Sequence, residues 1–286
     1  MESSHNTPSL FDVIKQFEKL KVDDYQRTYA WSRDEIYEFF SDLKSCVSAE
    51  DYHFFGTLIF QVDAQGVAKV VDGQQRLTTV FIFMSALRDA ILNLGLDTLP
   101  KTVERKLPIP VLNKTWEFLY LDYDPEKIRF ESNRFLAGIF ASSIYPEPDH
   151  QKEIKDRESA LTLSFRKAVK AIRDMIRTDL DAFSTPDEKL SRINDFIDAL
   201  RDRFLTLKVQ TTNLSESLEI FLTLNNRGLP LGASDLVRGE ILAKLGEGES
   251  ENKQSSIHKK VFEEWSDIAD NVKEVEVFLR HYLVAT

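Results

Sequence analysis

The stretch Val70-Val71-Asp72-Gly73-Gln74-Gln75-Arg76-Leu77-Thr78-Thr79 decides how this chain folds. Residues 67–71 are rich in valine and predict a β-strand, and the pair Asp72-Gly73 predicts a turn. Beyond the turn, apolar residues recur three and four positions apart, which predicts an amphipathic helix. These apolar positions are Leu77, Val80, Phe81, Met84, Leu87, Ile91 and Leu94.

The turn between this strand and this helix has two interpretations. Asp72 followed three residues later by Gln75 is a capping-box pattern, which satisfies the first N–H groups of a helix. A cap leaves other polar residues of the stretch unexplained, namely Gln74, Arg76, Thr78 and Thr79. The alternative is a ligand site, because a helix start offers free N–H groups and a positive dipole end to an anion, and glycine permits close approach. Spacing alone favours the cap, since helix starts outnumber anion sites.

The composition is that of an ordinary globular protein. The 286 residues are enough for one large domain or two, and 42% are hydrophobic and 29% charged. No apolar run reaches the ~20 residues that span a bilayer, and residues 1–9 lack the layout of a signal peptide. Cys46 is the only cysteine, which excludes an intrachain disulfide and a cysteine-cluster metal site. We therefore expect a cytoplasmic protein that does not engage a membrane.

The charge balance argues against binding duplex DNA through the overall field. The net charge is −10, whereas DNA binding requires Lys and Arg to neutralise phosphates. Residues 152–177 are a local exception in which bases outnumber acids. The bases are Lys152, Lys155, Arg157, Arg166, Lys167, Lys170, Arg173 and Arg177. A solvated helix face is the preferred interpretation of this run, and DNA contact is the minor one.

The first 50 residues predict two helices joined by extended chain. Thr7-Pro8 and the apolar positions from Leu10 to Leu20 predict a helix with proline at its first position. Residues 21–31 predict extended chain, and as a strand they would place Arg27, Tyr29 and Trp31 on one face. An arginine beside two aromatic rings could hold a nucleotide by phosphate contact and stacking. Packing of the aromatics into the core is an equal alternative. A capping box, Ser32 with Glu35, opens the second helix.

The later segments complete an α+β (mixed α/β) fold. Residues 54–62 and 67–71 predict a β-hairpin, 96–114 a connector, 115–200 mostly helix, and 203–211 a returning strand. Helices are also predicted at 215–224, from 233 to 245 and from 261 to 283. The predicted division is a small α/β core at 1–95 closed by 203–240, a helical insertion at 96–202, and a C-terminal helical segment at 241–286. The chain ends without a helix-terminating signal, so we expect that this segment could lead to a further domain.

Two common kinds of site are missing from the sequence. No G-x-x-x-x-G-K-S/T stretch occurs, which excludes a P-loop enzyme. The five histidines are scattered, and no two have the helical spacing of a metal-ligand pair.

Four segments, in order, resemble the ParB-like N-terminal domain of GmrSD-type modification-dependent restriction enzymes and related phage-defence proteins. Residues 72–79 resemble its DGQQR signature, and 25–31 are similar to its QR-x-Y-x-W strand. Residues 53–58 resemble its second strand, and 221–231 with Ser234-Asp235-Leu236 resemble its closing block. An ordered match of four blocks is more specific than any single motif.

The resemblance implies NTP binding and hydrolysis coupled to recognition of modified DNA. The catalytic residues that it implies are Asp72, Gln74, Gln75 and Arg76; the nucleotide-binding residues are Gly73, Thr78, Gln26, Arg27, Tyr29, Asn226 and Arg227. Asp72 would position a metal-bound or attacking water, and Arg76 with Arg27 would offset phosphate charge. The two glutamines would orient water or phosphate oxygens. Residues 72–76 and the pair Asn226-Arg227 should then line one hollow.

The resemblance also implies partners. They are an NTP, modified DNA, and an HNH-type nuclease domain or separate nuclease subunit, whose histidines this chain does not supply. A homodimer is compatible with the sequence. Magnesium would suit an NTP substrate because divalent metals bridge phosphates, but a single carboxylate is thin support for a metal site.

Two other functions compete with NTP hydrolysis. One is a regulatory module that binds nucleotide or DNA without turnover. The other is a nuclease acting through residues 72–76, which is the least favoured because two-metal cleavage needs several acidic ligands and Asp72 stands alone locally.

Overall fold

The structure, a computed structural model, describes residues 7–23, 26–95, 109–133, 136–145 and 160–212, with positions 216, 217, 220, 260 and 264 beyond them. The described elements, in chain order, are α1 Leu10–Lys15, β1 Lys19–Lys21, α2 Arg33–Ala49, β2 His53–Val62, β3 Val67–Asp72, α3 Gln74–Asn93, α4 Pro110–Leu119, β4 Tyr120–Leu121, β5 Asp124–Ile128, β6 Phe130–Glu131, α5 Ala137–Ile144, α6 Ala160–Leu180, α7 Pro186–Asp202 and β7 Phe204–Thr211. The predicted α+β class is confirmed.

One mixed sheet carries the turn that ends β3. Its five strands lie in the order β6-β1-β3-β2-β7. β2 and β3 form the predicted antiparallel hairpin, with Phe60 opposite Val70, and the other neighbouring pairs are parallel. The predicted returning strand is confirmed as β7, which pairs with β2. β3 therefore runs near the middle of the sheet and delivers Asp72 to its edge.

Helix α3 lies at the centre of the core and contacts α4, α5, α6 and α7. Its predicted apolar positions up to Ile91 are all buried. Helices α6 and α7 also contribute apolar side chains to the core, namely Phe165, Ile172, Ile176, Ile193, Phe196, Ile197 and Leu200. A helix buried on nearly all sides gives the turn at its start a rigid support.

The first predicted helix is wrong at both ends. Helix α1 begins after Ser9, whose hydroxyl accepts the N–H of Asp12 while the Asp12 carboxylate accepts that of Ser9. Proline is therefore not at the first helical position. The helix ends at Lys15, and Leu20 is buried on β1 instead. An apolar residue at Leu20 fits the period of either element, and the pairing of β1 with β3 decides between them.

The middle of the chain also differs from its prediction. Pro110 begins α4, a position that proline favours, so the predicted connector does not extend to residue 114. Three short strands lie within residues predicted as mostly helical, and β6 pairs with β1 at the edge of the main sheet. Two of these strands, β4 and β6, have only two residues each, which is too short for a readable period. Within the described segments, no helix has both the length and the hydropathy that a bilayer crossing demands.

Candidate functional site at the start of helix α3

The turn from β3 into α3 is made by glycine, and the capping box predicted for it is wrong. Gly73 is the N-cap with φ +94°, a left-handed conformation that favours glycine, and no side chain caps the helix. A Cβ at this position would lie 2.2 Å from Cδ2 of Leu58. The side chains of Asp72 and Gln75 are therefore available for other contacts.

Asp72 pairs with Arg76, one helical turn further on. Arg76 Nη2 donates to Asp72 Oδ2 at 3.2 Å and to the carbonyl oxygen of Thr57 at 2.5 Å. Each of the two charged side chains is one quarter exposed. Arg76 Nε is buried and has no hydrogen-bond partner in the structure. The pair joins the end of β3 to the first turn of α3 and leaves part of both groups facing outward.

Space for the Arg76 guanidinium is provided by Gly56 on β2. A Cβ at Gly56, where φ is +102°, would lie 2.2 Å from Arg76 Nη1. Gly56 and Thr57 were not among the predicted site residues. The available signal was a glycine inside a strand, which often marks a close approach by another group.

Burial makes Asp72 a stronger base than an ordinary carboxylate. Loss of hydration raises the pKa of Asp72, while the nearby Arg76, the N–H of Gly73 and the charge of Arg27 oppose the rise. Arg27 is exposed and forms no ion pair within the described segments. Its charge also contributes to the lowered pKa of Glu35, whose main cause is the hydrogen bond from Ser32. A free cation thus lies close to the Asp72–Arg76 pair.

Two buried glutamines hold the segment that carries Arg27. Gln75 Oε1 accepts the N–H of Ala30 at 2.8 Å, and its Nε2 donates to the carbonyl oxygen of Thr28 at 3.1 Å. Gln26 Nε2 donates to the carbonyl oxygens of Val70 at 2.5 Å and Val71 at 3.2 Å. Both glutamines are less than a tenth exposed. They fix residues 26–30 against β3 and α3, and so position Arg27.

Residues 26–31, part of the segment 21–31 predicted as extended chain, form no strand, and the side chains of Tyr29 and Arg27 lie in different environments. Tyr29 is 3% exposed, its hydroxyl bonds with Thr79 Oγ1 at 2.8 Å, and its ring meets Phe165 edge-on. Burial raises the pKa of Tyr29. Inward packing is therefore the correct alternative for this ring, which is not available for stacking on a nucleotide. Thr78 is also buried.

Gln74 differs from the other polar residues of the turn. It is the first residue of α3 and is partly exposed. Its side chain makes no hydrogen bond within the described segments. The structure thus brings together Asp72, Gly73, Gln74 and Arg76 with Arg27, while Gln26 and Gln75 support them. Asn226 and Arg227 lie outside the described residues, and their place in a common hollow stays a prediction.

The family comparison covers the segments that form this turn. A family model described as the N-terminal domain of the GmrSD restriction endonuclease matches residues 9–242. This chain belongs to the GmrSD N-terminal domain family. The matched range of the GmrSD domain includes every described element from α1 to β7 and both predicted polar blocks. A comparison with curated proteins gives no match.

The described part of this GmrSD domain contains no group of three or more His, Cys, Asp or Glu residues that could hold a metal ion. Asp72 supplies one carboxylate, and Arg76 already occupies one of its oxygens. These donors do not fit a metal cage made by protein alone. They fit a single ligand to an ion that is otherwise held by water and phosphate, as is usual for magnesium.

A separate groove of about 1270 Å³ lies between α2 and α6 of the GmrSD domain. No residue of the 72–76 segment lines it. Ala30, Trp31 and Ser32 do line it, and Ala30 is the residue whose N–H binds Gln75. The groove and the turn are therefore connected through residues 26–32.

Proposed function

We propose that this domain binds and hydrolyses a nucleoside triphosphate at the β3–α3 turn, and couples that reaction to recognition of modified DNA in a restriction system. The observation that carries the proposal is the start of α3. This twenty-residue helix has no side-chain cap. Its first turn lies close to Arg27, Arg76 and the partly exposed Gln74. Free N–H groups, the helix dipole and two guanidinium groups suit a phosphate chain.

Asp72 is the proposed proton acceptor. Its pKa is raised by burial, and a carboxylate of raised pKa takes a proton more readily from an attacking water. The pairing with Arg76 holds one oxygen of the carboxylate, so the other oxygen is the one assigned to the water. Water attack on the terminal phosphorus would release inorganic phosphate and a nucleoside diphosphate.

The remaining residues divide into phosphate contacts and positioning residues. Arg76 and Arg27 would offset the charge that the phosphate oxygens carry in the transition state. Gln74 would orient the water or a phosphate oxygen, and Gly73 lets the phosphate approach the backbone. We assign Gln75 a positioning role instead of the direct contact predicted for it, because its amide is bonded to the main chain of Thr28 and Ala30.

Magnesium is proposed as a companion of the nucleotide. Asp72 would hold the ion through the attacking water, and the ion would supply charge neutralisation of the phosphates. We also propose a cytoplasmic location and a partner nuclease, either a further HNH-type domain or a separate subunit, which cleaves the modified DNA. These assignments follow from the family resemblance.

The test is phosphate release by the purified chain. The assay uses the four NTPs with magnesium, each with modified and unmodified duplex DNA. Asp72→Ala and Arg76→Ala should each lower turnover by about 100-fold or more, with thermal unfolding recorded to confirm that both variants fold. Wild-type turnover in both variants would remove this mechanism.

A regulatory module that binds nucleotide without hydrolysis is the second candidate. The observation that favours it is that Asp72 is already paired with Arg76 at 3.2 Å. Tight binding of nucleotide, measured by calorimetry, with no phosphate release in the presence of modified DNA and the partner nuclease would select this function. Cleavage of a plasmid by the chain alone with a divalent metal would instead select the nuclease alternative.

A further inference from the structure

The groove between α2 and α6 has a chemistry that the proposed nucleotide site does not use. Its floor is apolar and includes Ile36, Phe40, Ala168 and Met175. The wall on α2 carries Tyr37, which is 65% exposed, whereas the nearby Ile36 and Phe40 are buried. An exposed aromatic ring above an apolar floor offers a flat surface to another planar group.

Unpaired positive charge lines this groove. Arg33 at the start of α2 and Lys167 and Lys170 on α6 are exposed and make no ion pair within the described segments. On α6, these two lysines belong to the run of bases that the sequence favoured as a solvated face. The structure shows that both are exposed, as predicted, and that they also line this groove.

The negative charge in the groove is already neutralised. Asp179 is bonded to Arg192 at 2.8 Å and Lys44 at 3.0 Å, and Asp174 is bonded to Arg177 at 3.0 Å. Both of these acidic residues lie on α6, and those of α2 do not line the groove; they are Asp34, Glu35, Glu38 and Asp42. Although the whole chain is acidic, the groove therefore presents a local excess of cations.

We propose that the α2–α6 groove binds a strand of nucleic acid. Phosphates would contact Lys167, Lys170 and Arg33, and a base would stack on Tyr37 above the apolar floor. An acidic helix of a protein partner would also meet positive charge here. The exposed ring of Tyr37 favours a nucleic acid, because a base offers the flat surface that stacks on such a ring and an acidic helix need not.

This inference deepens the proposed function. It rests on that function in one respect only, namely that DNA binding alters nucleotide turnover. The N–H of Ala30, whose residue lines the groove, is bound by Gln75 in the first turn of α3. A strand in the groove would act on the segment that positions Arg27. Binding itself requires no hydrolysis, so it can be tested without nucleotide or magnesium.

The experiment is fluorescence anisotropy with a labelled 20-nucleotide single strand and the matching duplex, at several salt concentrations. Lys167→Gln/Lys170→Gln should weaken single-strand binding about tenfold near 0.1 M salt and reduce the slope of log affinity against log salt by about 1.4. The control, Lys15→Gln/Lys127→Gln, removes the same charge from exposed lysines outside the groove and should leave affinity unchanged. Tyr37→Ala should weaken binding by at least about fivefold and Tyr37→Phe should not.

Three outcomes would overturn the proposal. If the wild-type chain binds neither oligonucleotide, or if both lysine pairs have equal effects, the groove is not a nucleic-acid site. If poly-L-glutamate of matched charge competes as well as the single strand, the groove recognises charge without bases and suits an acidic protein partner. If the wild-type chain releases no phosphate from NTPs but the variants differ in oligonucleotide binding as expected, only the proposed hydrolysis is refuted.

Discussion

The side-chain carbonyl oxygen of Gln75 accepts the main-chain N–H of Ala30, which lies 45 residues earlier in the sequence, at 2.8 Å. This bond joins the first turn of α3 to the segment that carries Arg27. A residue that a sequence motif presents as catalytic thus builds the site by holding another part of the chain.

Replacement by alanine should affect mainly stability at Gln75 and mainly NTP turnover at Gln74. Gln75→Ala should lower the free energy of unfolding by about 1–3 kcal/mol, because buried main-chain groups of Thr28 and Ala30 lose their partners. Gln74→Ala should change it by less than about 0.5 kcal/mol but lower NTP turnover. Urea denaturation and phosphate release measure the two effects. Equal loss of stability in both variants would contradict the positioning role.

Gly56→Ala should displace the Arg76 guanidinium, because the new Cβ would lie 2.2 Å from Nη1. We expect lower stability and a loss of turnover close to that of Arg76→Ala. Gly66→Ala is the matched control, since Gly66 also has a positive φ, +80°, but a Cβ there meets nothing within 4 Å. That control should cost only about 1 kcal/mol from backbone strain.

A double-mutant cycle separates strain from crowding at Gly56. In the Arg76→Ala background, Gly56→Ala should cost no more than Gly66→Ala does, because the crowded group is gone. Additive effects of Gly56→Ala and Arg76→Ala on urea denaturation would show that the two residues do not interact.

Tyr29 and Arg27 should separate stability from nucleotide binding. Tyr29→Phe removes a buried hydrogen bond to Thr79 and should cost about 0.5–1.5 kcal/mol of stability, with nucleotide affinity unchanged. Arg27→Ala removes an exposed cation and should weaken nucleotide affinity without a comparable loss of stability. Calorimetric titration with a non-hydrolysable nucleotide measures the affinities, and a weaker affinity for Tyr29→Phe would return the Tyr29 hydroxyl to the binding site.

The raised pKa of Asp72 predicts a dependence on pH that Asp72→Asn should abolish. Turnover should fall as the pH drops through this pKa, which lies above its ordinary value of 3.8, because a protonated carboxyl accepts no proton from water. Burial favours the neutral acid, so Asp72 stabilises the fold most below pH 3.8 and loses that contribution as the pH rises through its raised value. The stability of Asp72→Asn relative to wild type should therefore increase with pH in this window. A flat difference in urea denaturation between the two proteins would refute the assigned shift.

Arg88 should be a major determinant of stability with no part in catalysis. It is fully buried and bonds Asp89, the Tyr120 hydroxyl and the carbonyl oxygen of Ile144, which ties α3 to β4 and α5. Arg88→Met should lower the free energy of unfolding by about 3 kcal/mol, because it removes charge-assisted hydrogen bonds that a fully buried guanidinium makes to Asp89, Tyr120 and Ile144. Arg201→Met, which removes a surface pair with Asp202, should cost less than about 1 kcal/mol. Similar losses in urea denaturation would mean that the Arg88 contacts contribute little.

Sequence periodicity determined the elements whose residues bury one another. The hairpin of β2 and β3, the apolar face of α3 and the strand β7 could all be predicted, because burial selects apolar residues at the spacing of each element. The capping boxes of α2 and α7 are local in the same way, since donor and acceptor lie three residues apart. The location of a polar site at the end of β3 followed from the same local pattern.

The roles of the polar residues were decided only by the tertiary structure. Asp72 and Gln75 have the spacing of a cap, yet their side chains bind Arg76 and the main chain of residues 28 and 30. Tyr29 follows Arg27 by two residues, yet it is buried while Arg27 is exposed. Polar side chains bond to whichever partner the fold brings within about 3 Å, and these partners lie up to 47 residues away. Local spacing contains no information about such distant pairings. It could therefore locate the polar turn but not assign a role to each residue in it.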